Sequence, residues 1–219
     1  MITDPRMSVF LDSFYEGNSP FLEDLEERAK KDRIPIIRRG MQSLIRVLLQ
    51  MQRPENILEV GTATGFSAIL MAEYGPDNCH ITTIENYEKR IPEARNNISS
   101  SGHQNQITLI EGDAADVLQR LSDPFDFIFM DAAKGQYPAF LPEILRLLAP
   151  GGVLLSDNVL QDGDLIESHY IVERRNRTIY KRMRDYLYTI THHPELTTTI
   201  LPVGDGAAVS VKKAEELWR

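Results

Sequence analysis

Several things are scarce or missing in this chain of 219 residues, and each absence narrows what it can be. A single cysteine, Cys79, rules out an internal disulfide and any cysteine-rich zinc site. That scarcity fits a reducing compartment. Cys79 stands at the start of a predicted strand and is read as packing, as most free cysteines are. No apolar run approaches the roughly 20 residues of a membrane helix. The opening Met1-Ile-Thr-Asp-Pro-Arg6 has no signal-peptide pattern. A soluble cytoplasmic protein with no membrane partner is expected. Positive charge is also in deficit, with a formal net charge of −8, so the whole-molecule field does not favour nucleic acid. Repeats, low-complexity tracts and linkers are absent as well. The length therefore suits one domain over residues 1–219, and 42% apolar content supplies a sizeable core. Within it, residues 1–52 read as an N-terminal helical cap and residues 53–213 as the core.

What is present alternates. Residues 7–16, 20–32 and 36–51 have helical patterning, the last with Ile37, Met41, Leu44, Ile45, Leu48 and Leu49 at helical spacing. Strand-like runs follow at 56–60, 80–85, 107–111, 125–131 and 152–157, separated by helical stretches near 66–74, 87–100, 114–121 and 136–149. Gly75-Pro76, Gly102 and Pro150-Gly151-Gly152 act as stops between them. This βα rhythm predicts an α/β fold, a doubly wound and mostly parallel sheet with helices on both faces. A last helix at about 173–191 precedes two β-rich runs, Thr197 to Val203 and Ala207 to Val211. They flank Gly204-Asp205-Gly206 and read as a C-terminal antiparallel hairpin closing the sheet edge.

Open α/β sheets hold ligands at the carboxyl ends of their strands. The first strand runs into Glu59-Val-Gly-Thr-Ala-Thr-Gly65, which lacks the middle glycine of the dinucleotide pattern G-x-G-x-x-G. Gly61 and Gly65 still permit a tight turn and close approach to a ligand, so the loop, from Glu59 onward, suits a nucleoside without a pyrophosphate. Glu85 ends the second strand, 20 residues beyond Gly65, where a carboxylate can accept both ribose hydroxyls. Asp113, in Gly112-Asp113-Ala114 at the end of the third strand, is set to meet the base. An ordinary turn would explain the loop alone; with Glu85 and Asp113 in register, the reading is S-adenosylmethionine.

The fourth strand ends at Asp131 and the fifth at Asp157-Asn158, on strands that a doubly wound sheet sets about 5 Å apart. Two carboxylates and a carboxamide form a hard-oxygen set suited to Mg²⁺, Mn²⁺ or Ca²⁺ rather than Zn²⁺. Turn hydrogen bonds are the plainer role for Asp157 and Asn158. Lys134 begins the next helix beside the same crevice, where a lysine can help remove a hydroxyl proton, or it is simply solvated. Asp131 and Lys134 are the candidate catalytic pair.

These segments carry a resemblance. Glu-Val-Gly-Thr-Ala-Thr-Gly-Phe-Ser (59–67), Gly-Asp-Ala (112–114), Asp-Ala-Ala-Lys (131–134) and Asp-Asn-Val-Leu (157–160) resemble the divalent-metal-dependent O-methyltransferases of the caffeoyl-CoA and catechol type. Within that group the chain is most similar to bacterial tRNA 5-hydroxyuridine methyltransferases, which form 5-methoxyuridine at the wobble position. The likeness runs over nearly the whole chain, to Pro202-Val-Gly-Asp-Gly206. It implies a seven-stranded Rossmann-like methyltransferase fold and donor contacts at Ile37, Ser67, Glu85, Asp113, Ala114 and Asp131, to which the loop adds Glu59 and Gly61. It also implies metal ligation by Asp131, Asp157 and Asn158 with Mg²⁺ or Mn²⁺, and a homodimer.

The late helix bears on the acceptor. Arg174, Arg177, Lys181 and Arg184 follow i, i+3, i+7, i+10 spacing as a cationic stripe, while Ile179, Met183, Tyr186, Leu187 and Ile190 form an apolar one. The stripe is either a contact to the tRNA anticodon loop or the solvated face of an ordinary packed helix. A second basic group, Arg28, Lys30, Lys31, Arg33, Arg38 and Arg39, precedes the first strand. Two enzyme readings follow, a tRNA wobble-uridine methyltransferase and a small-molecule catechol or phenylpropanoid methyltransferase. A non-catalytic S-adenosylmethionine-binding module would lack the metal residues. The loop from Gln161 to Tyr170 follows the metal pair and suits either enzyme. His192-His193 reads as a helix cap, Tyr137 as packing or crevice lining, and Trp218 as a dimer contact or a loose end.

Overall fold

The computed structural model describes residues 4–168 and 172–214. The expectations for Tyr170 and Trp218 lie outside those residues. Helices α1 (Pro5–Asp12), α2 (Pro20–Lys31) and α3 (Arg39–Gln52) come first. Then follow β1 (Asn56–Val60), α4 (Phe66–Tyr74), β2 (His80–Glu85), α5 (Ile91–Ser100), β3 (Ile107–Glu111), α6 (Ala114–Arg120), β4 (Phe125–Met130), α7 (Tyr137–Leu147) and β5 (Leu148–Ser156). The chain closes with α8 (Arg177–His192), β6 (Leu196–Leu201) and β7 (Ala207–Lys212). The seven strands lie in the order β3-β2-β1-β4-β5-β7-β6, with the first five parallel and β7 antiparallel to both neighbours. This is the doubly wound, Rossmann-like methyltransferase sheet, with the expected hairpin at one edge.

Strand alternation divides the core. Ile57, Phe127, Phe129 and Leu155 face α2, α3 and α4, while Leu58, Val60, Ile128 and Leu154 face α6, α7 and α8. α4 is buried from Phe66 to Ala72, so it has no polar face to present to solvent. α1 is the opposite case, with no buried residue and with Met7, Val9, Phe10 and Leu11 exposed, next to exposed Phe14 and to Val47 and Met51 of α3.

Several boundaries differ from the sequence reading. α1 starts earlier because Asp4 caps it, accepting from the Arg6 amide at 2.8 Å, and Pro5 sits at the first helical position. α3 starts later, at Arg39: the Ile37 carbonyl is taken by the Gln42 side-chain amide at 3.0 Å, and residues 35–38 stay out of the helix and line the cavities described below. Pro150-Gly151-Gly152 is no stop but part of β5, where the pairing with β4 slips between Phe125↔Leu148 and Phe127↔Val153. α8 begins at Arg177, and Arg174 belongs to a separate short 3-10 turn, Arg174–Asn176, so it is outside the helical register of the stripe. On the apolar side Tyr180 is buried and Ile179 is 37% exposed, which reverses the expectation for Ile179.

Candidate functional site

The strand order reverses between β1 and β4, and the loops leaving these two strands meet there. Gly61 takes φ +107°, and a Cβ on it would lie 2.4 Å from the Asp131 carbonyl oxygen, so only glycine admits the crossing of the two chains. A cavity of about 360 Å³ opens at this point, a size suited to a small-molecule ligand. Ile37, Gly61, Ser67, Glu85, Asp113, Ala114 and Asp131 all line it.

The donor side is rigid for a local reason. The amides of Gly61 and Thr62 both donate to the Ile84 carbonyl, at 3.1 and 3.2 Å, and Gly65 donates back to Thr62 at 2.8 Å. Glu85 is fixed by three backbone amides: Ala63 donates to Oε2 at 2.8 Å, and Asn86 and Tyr87 donate to Oε1 at 3.0 and 2.8 Å. Oε1 spends both its lone pairs on the two amides, whereas Oε2, which accepts from Ala63, keeps a lone pair for a ribose hydroxyl. Asp113 follows β3 as the cap of α6, accepting from the Ala115 amide at 2.8 Å, and its exposed side chain stands at the cavity wall.

Glu59 is the exception among the expected donor contacts. It is fully buried beneath the loop and lines no part of the cavity. Thr83 donates to its Oε2 at 2.5 Å, and the Thr83 and Thr62 hydroxyls are 2.5 Å apart. Burial pushes its pKa up to about 8, against the stabilising hydroxyls of Ser67 and Thr83. Glu59 thus supports the loop from below rather than touching a ligand.

A second cavity adjoins the first along Ile36, Ile37, Ala63 and Asp131. Its far wall carries Lys134, Asp157, Asn158, Arg38 and Asp205. Met130 pairs with Ser156 at the ends of β4 and β5, so Asp131 and Asp157 leave the sheet side by side. Asp131 Oδ1 accepts from Lys134 Nζ at 2.8 Å. Asp157, 4% exposed, accepts from the Asn158 amide at 2.6 Å through Oδ1, so the turn-hydrogen-bond role is present for one of its oxygens. Burial and then the neighbouring Asp131 charge push its pKa up to about 7, with Lys134 opposing. Asn158 is held at φ +53°, a left-handed conformation that asparagine tolerates better than most residues. Among the described residues no three histidine, cysteine, aspartate or glutamate side chains form a metal cluster. The set here is instead two carboxylates and an amide.

Two supporting groups were not resolved from the sequence. Tyr137 is fully buried and lines no crevice; its hydroxyl bridges the carbonyls of Met130 and Asp157, at 2.8 and 3.1 Å, with Lys134 Nζ 3.4 Å away. It therefore ties the two acidic strand ends together. Tyr137 packs edge-on against Tyr186 of α8 at 5.3 Å, and Tyr186 bonds Ser156 at 2.6 Å. The second group is Arg38 with Asp205, whose proximity in space no local spacing announces.

An outer lobe beyond Lys134 and Asn158 is lined by Gln161, Asp164, Asn176 and Ile179. It leads to α8. There Arg177 donates to the Val172 carbonyl at 3.2 Å and Arg184 to the Leu165 carbonyl at 3.3 Å, while Arg182 donates to Gly135, next to Lys134, at 3.1 Å. Lys181 is exposed on the same face. The stripe is thus part framework and part open cation. In the earlier basic group Arg28 pairs with Asp24 at 2.9 Å and Lys30 with Glu26 inside α2, Arg39 of α3 reaches Glu26 at 3.7 Å, and Arg38 pairs with Asp205. His192 stacks on Tyr188 at 4.1 Å at the end of α8, consistent with a surface role. No helix among the described residues is long and apolar enough to cross a membrane.

Comparison with known proteins adds the following. A model of an O-methyltransferase family matches residues 12–213. The catechol O-methyltransferase of Niastella koreensis is 36% identical over 129 residues, 57% of this chain, and the match spans 58% of that relative's length. A Staphylococcus aureus structure provisionally described as a caffeoyl-CoA O-methyltransferase is similar at TM-score 0.87 and 35% identity, covering 95% of this chain and 100% of the other. An O-methyltransferase from Bacillus cereus in complex with SAH is similar at TM-score 0.84 and 28% identity, covering 97% and 100%.

Proposed function

The chain belongs to the O-methyltransferase family, and from that premise we propose that it methylates the 5-hydroxyl of 5-hydroxyuridine at the wobble position of tRNA, with S-adenosylmethionine as donor and Mg²⁺ or Mn²⁺ as cofactor. The observation that carries the choice of acceptor is the wall of the outer lobe. Gln161, Asp164 and Asn176 offer amides and a carboxylate to the edge of a base, and among the described residues no aromatic side chain lines the lobe to stack on a phenol. The exposed Lys181 lies on the helix that continues from this lobe, where a phosphate backbone would run.

A divalent cation fits the residues present. Asp131 and Asp157 leave neighbouring strand ends side by side, Lys134 pairs with Asp131, and burial first and the Asp131 charge second push the Asp157 pKa up, as for a buried carboxylate that lacks a cation of its own. Asp131, Asp157 and Asn158 would hold the ion, which when bound supplies Lewis acidity that favours the ionised acceptor hydroxyl. The other roles belong to side chains. Glu85 and Asp113 fix the nucleoside of the donor, and Ile36 and Ile37, shared by both cavities, exclude water between donor and acceptor. Lys134, already ion-paired with Asp131, serves to steady the developing oxyanion rather than to take its proton. The hydroxyl proton passes to solvent water, the oxygen attacks the methyl carbon in line, the O–C bond forms as the S–C bond breaks, and a neutral thioether departs. Holding the two partners in that alignment accounts for much of the acceleration.

A homodimer is part of the proposal. The exposed apolar side chains Val9 and Phe10 of α1, Phe14 just after it, and Val47 and Met51 of α3 support it.

The test is nucleoside mass spectrometry of tRNA from cells lacking this protein, where 5-methoxyuridine should disappear and 5-hydroxyuridine accumulate. Unchanged nucleosides would leave a small catechol or phenylpropanoid as the acceptor. With purified protein, Lys181→Glu should weaken tRNA methylation about tenfold and reduce its salt slope by about 1, with catechol methylation unaffected. Equal losses on both acceptors would make the residue structural.

A further inference from the structure

The Gly204-Asp205-Gly206 segment does more than close the β6–β7 hairpin. We infer that Asp205 is the positioning residue that makes the Asn158 carboxamide an oxygen donor, and that Arg38 holds Asp205 in place for that role. The inference rests on the divalent-cation reading of Asp131, Asp157 and Asn158.

An amide side chain can present either its oxygen or its NH₂ group to a cavity, and the two orientations are nearly equal in shape. Only one can ligate a cation. Asn158 Nδ2 donates to Asp205 Oδ2 at 3.1 Å. A carboxylate can only accept, so this contact commits the nitrogen of Asn158 to Asp205 and turns its oxygen the other way. The other Asp205 oxygen, Oδ1, is paired with Arg38 at 2.6 Å. The carboxylate is therefore gripped at both ends, and its side chain is only 14% exposed.

The hairpin is built to hold this contact. Val159 donates to the Gly206 carbonyl at 2.9 Å and Leu160 to the Asp205 carbonyl at 3.0 Å, so the backbone just past Asn158 is laced to the backbone around Asp205. Gly206 takes φ +91°, and a Cβ there would lie 2.4 Å from the Leu160 side chain and 2.8 Å from its amide nitrogen. The approach thus excludes any larger residue. Outer partners of this kind typically change metal affinity by about 10–100-fold when removed, because they fix which atom the ligand presents.

The experiment is Mn²⁺ binding to the full chain by calorimetry or by electron paramagnetic resonance of the free ion, with SAH binding measured in parallel. In Asp205→Asn, Arg38 claims the oxygen of the new amide, whose NH₂ then faces Asn158 and reverses it. Mn²⁺ affinity should fall about 10–100-fold, with SAH affinity unchanged. In the double variant Asn158→Asp/Asp205→Asn the amide and the carboxylate exchange places. The amide at position 205 accepts from Arg38 and donates to the carboxylate at position 158, whose second oxygen faces the ion. Mn²⁺ affinity should return to within about threefold of wild type, since the outer contact that sets the ligand atom is restored. Undiminished Mn²⁺ binding in Asp205→Asn, or a double variant no better than that single one, overturns the inference while leaving the cation reading intact. A loss of SAH affinity alongside Mn²⁺ in Asp205→Asn also overturns it, in favour of a hairpin that merely holds the fold. A wild-type protein that binds no Mn²⁺ overturns the cation reading and this inference together.

Discussion

The donor and acceptor sides of the site share a wall at Asp131 yet are built on opposite principles. On the donor side, Glu85 and Asp113 are met by backbone amides, and the glycine loop satisfies itself through Ile84 and Thr62. On the acceptor side, Asp131 and Asp157 crowd one another with one ammonium between them. The contrast teaches that the chain completes its donor site by itself but leaves its acceptor site with surplus negative charge. On the proposed reading, the first compartment binds its ligand without help and the second waits for a cation.

The largest expected effect comes from removing one side of that contrast. Asp157→Ala should lower turnover about 1,000-fold or more, since a catalytic cation is worth several kcal/mol of barrier. SAH affinity, measured by calorimetry, should stay within about threefold, because the donor contacts lie elsewhere. Comparable losses in both would erase the distinction between the two sides.

Next in size is the tie beneath them. Tyr137→Phe frees the carbonyls of Met130 and Asp157 from their shared hydroxyl while keeping the ring against Tyr186. One hydrogen bond of about 1–1.5 kcal/mol, felt in the alignment of the strand ends, amounts to a roughly tenfold lower kcat with little change in donor KM. A change confined to thermal stability would limit Tyr137 to packing.

The smallest effect sharpens the comparison through pH. A carboxyl whose folded pKa is raised holds its proton better when folded, so its contribution is complete below the unfolded value, 3.8 for Asp157, and is lost as pH rises through about 7. The metal-free protein should therefore melt lower at pH 8 than at pH 5, and Mg²⁺ should raise the midpoint more at pH 8. Glu59, pushed up to about 8, contributes with the same sign, so the diagnostic variant is Asp157→Asn, in which the drop should shrink. A drop of unchanged size would place the strained charge somewhere other than the acceptor side.

Much of this architecture could be read from residue order because parallel strands announce their ends. Asp131 and Asp157-Asn158 follow apolar runs directly, and their adjacency follows from neighbouring strands in register. The loop glycines and Glu85 were legible for the same reason. What escaped depended on which way a side chain points or on contacts between distant segments. Glu59 was grouped with the donor contacts because it precedes Gly61, yet its place on β1 turns it under the loop toward Thr83. Arg174 shares the spacing of the late cations, but the helix does not begin until Arg177, so spacing overran the element. Asp205 looked like a turn residue, and only the pairing of β7 beside β5 carries it to Asn158. Ile37 fitted a helical pattern that Gln42 interrupts by capturing its carbonyl.

The crossing at Gly61, where two backbones pass too closely for even a methyl group, welds the floor of one compartment to the rim of the other. Any substitution that shifts the Asp131 strand end is transmitted to both substrates at once. On the proposed reading, acceptor preference in such a scaffold diversifies through the remote walls, at positions such as Gln161 and Asn176, which line the outer lobe and not the donor cavity. A library aimed at new acceptors should accordingly leave the crossing untouched and vary that distant rim.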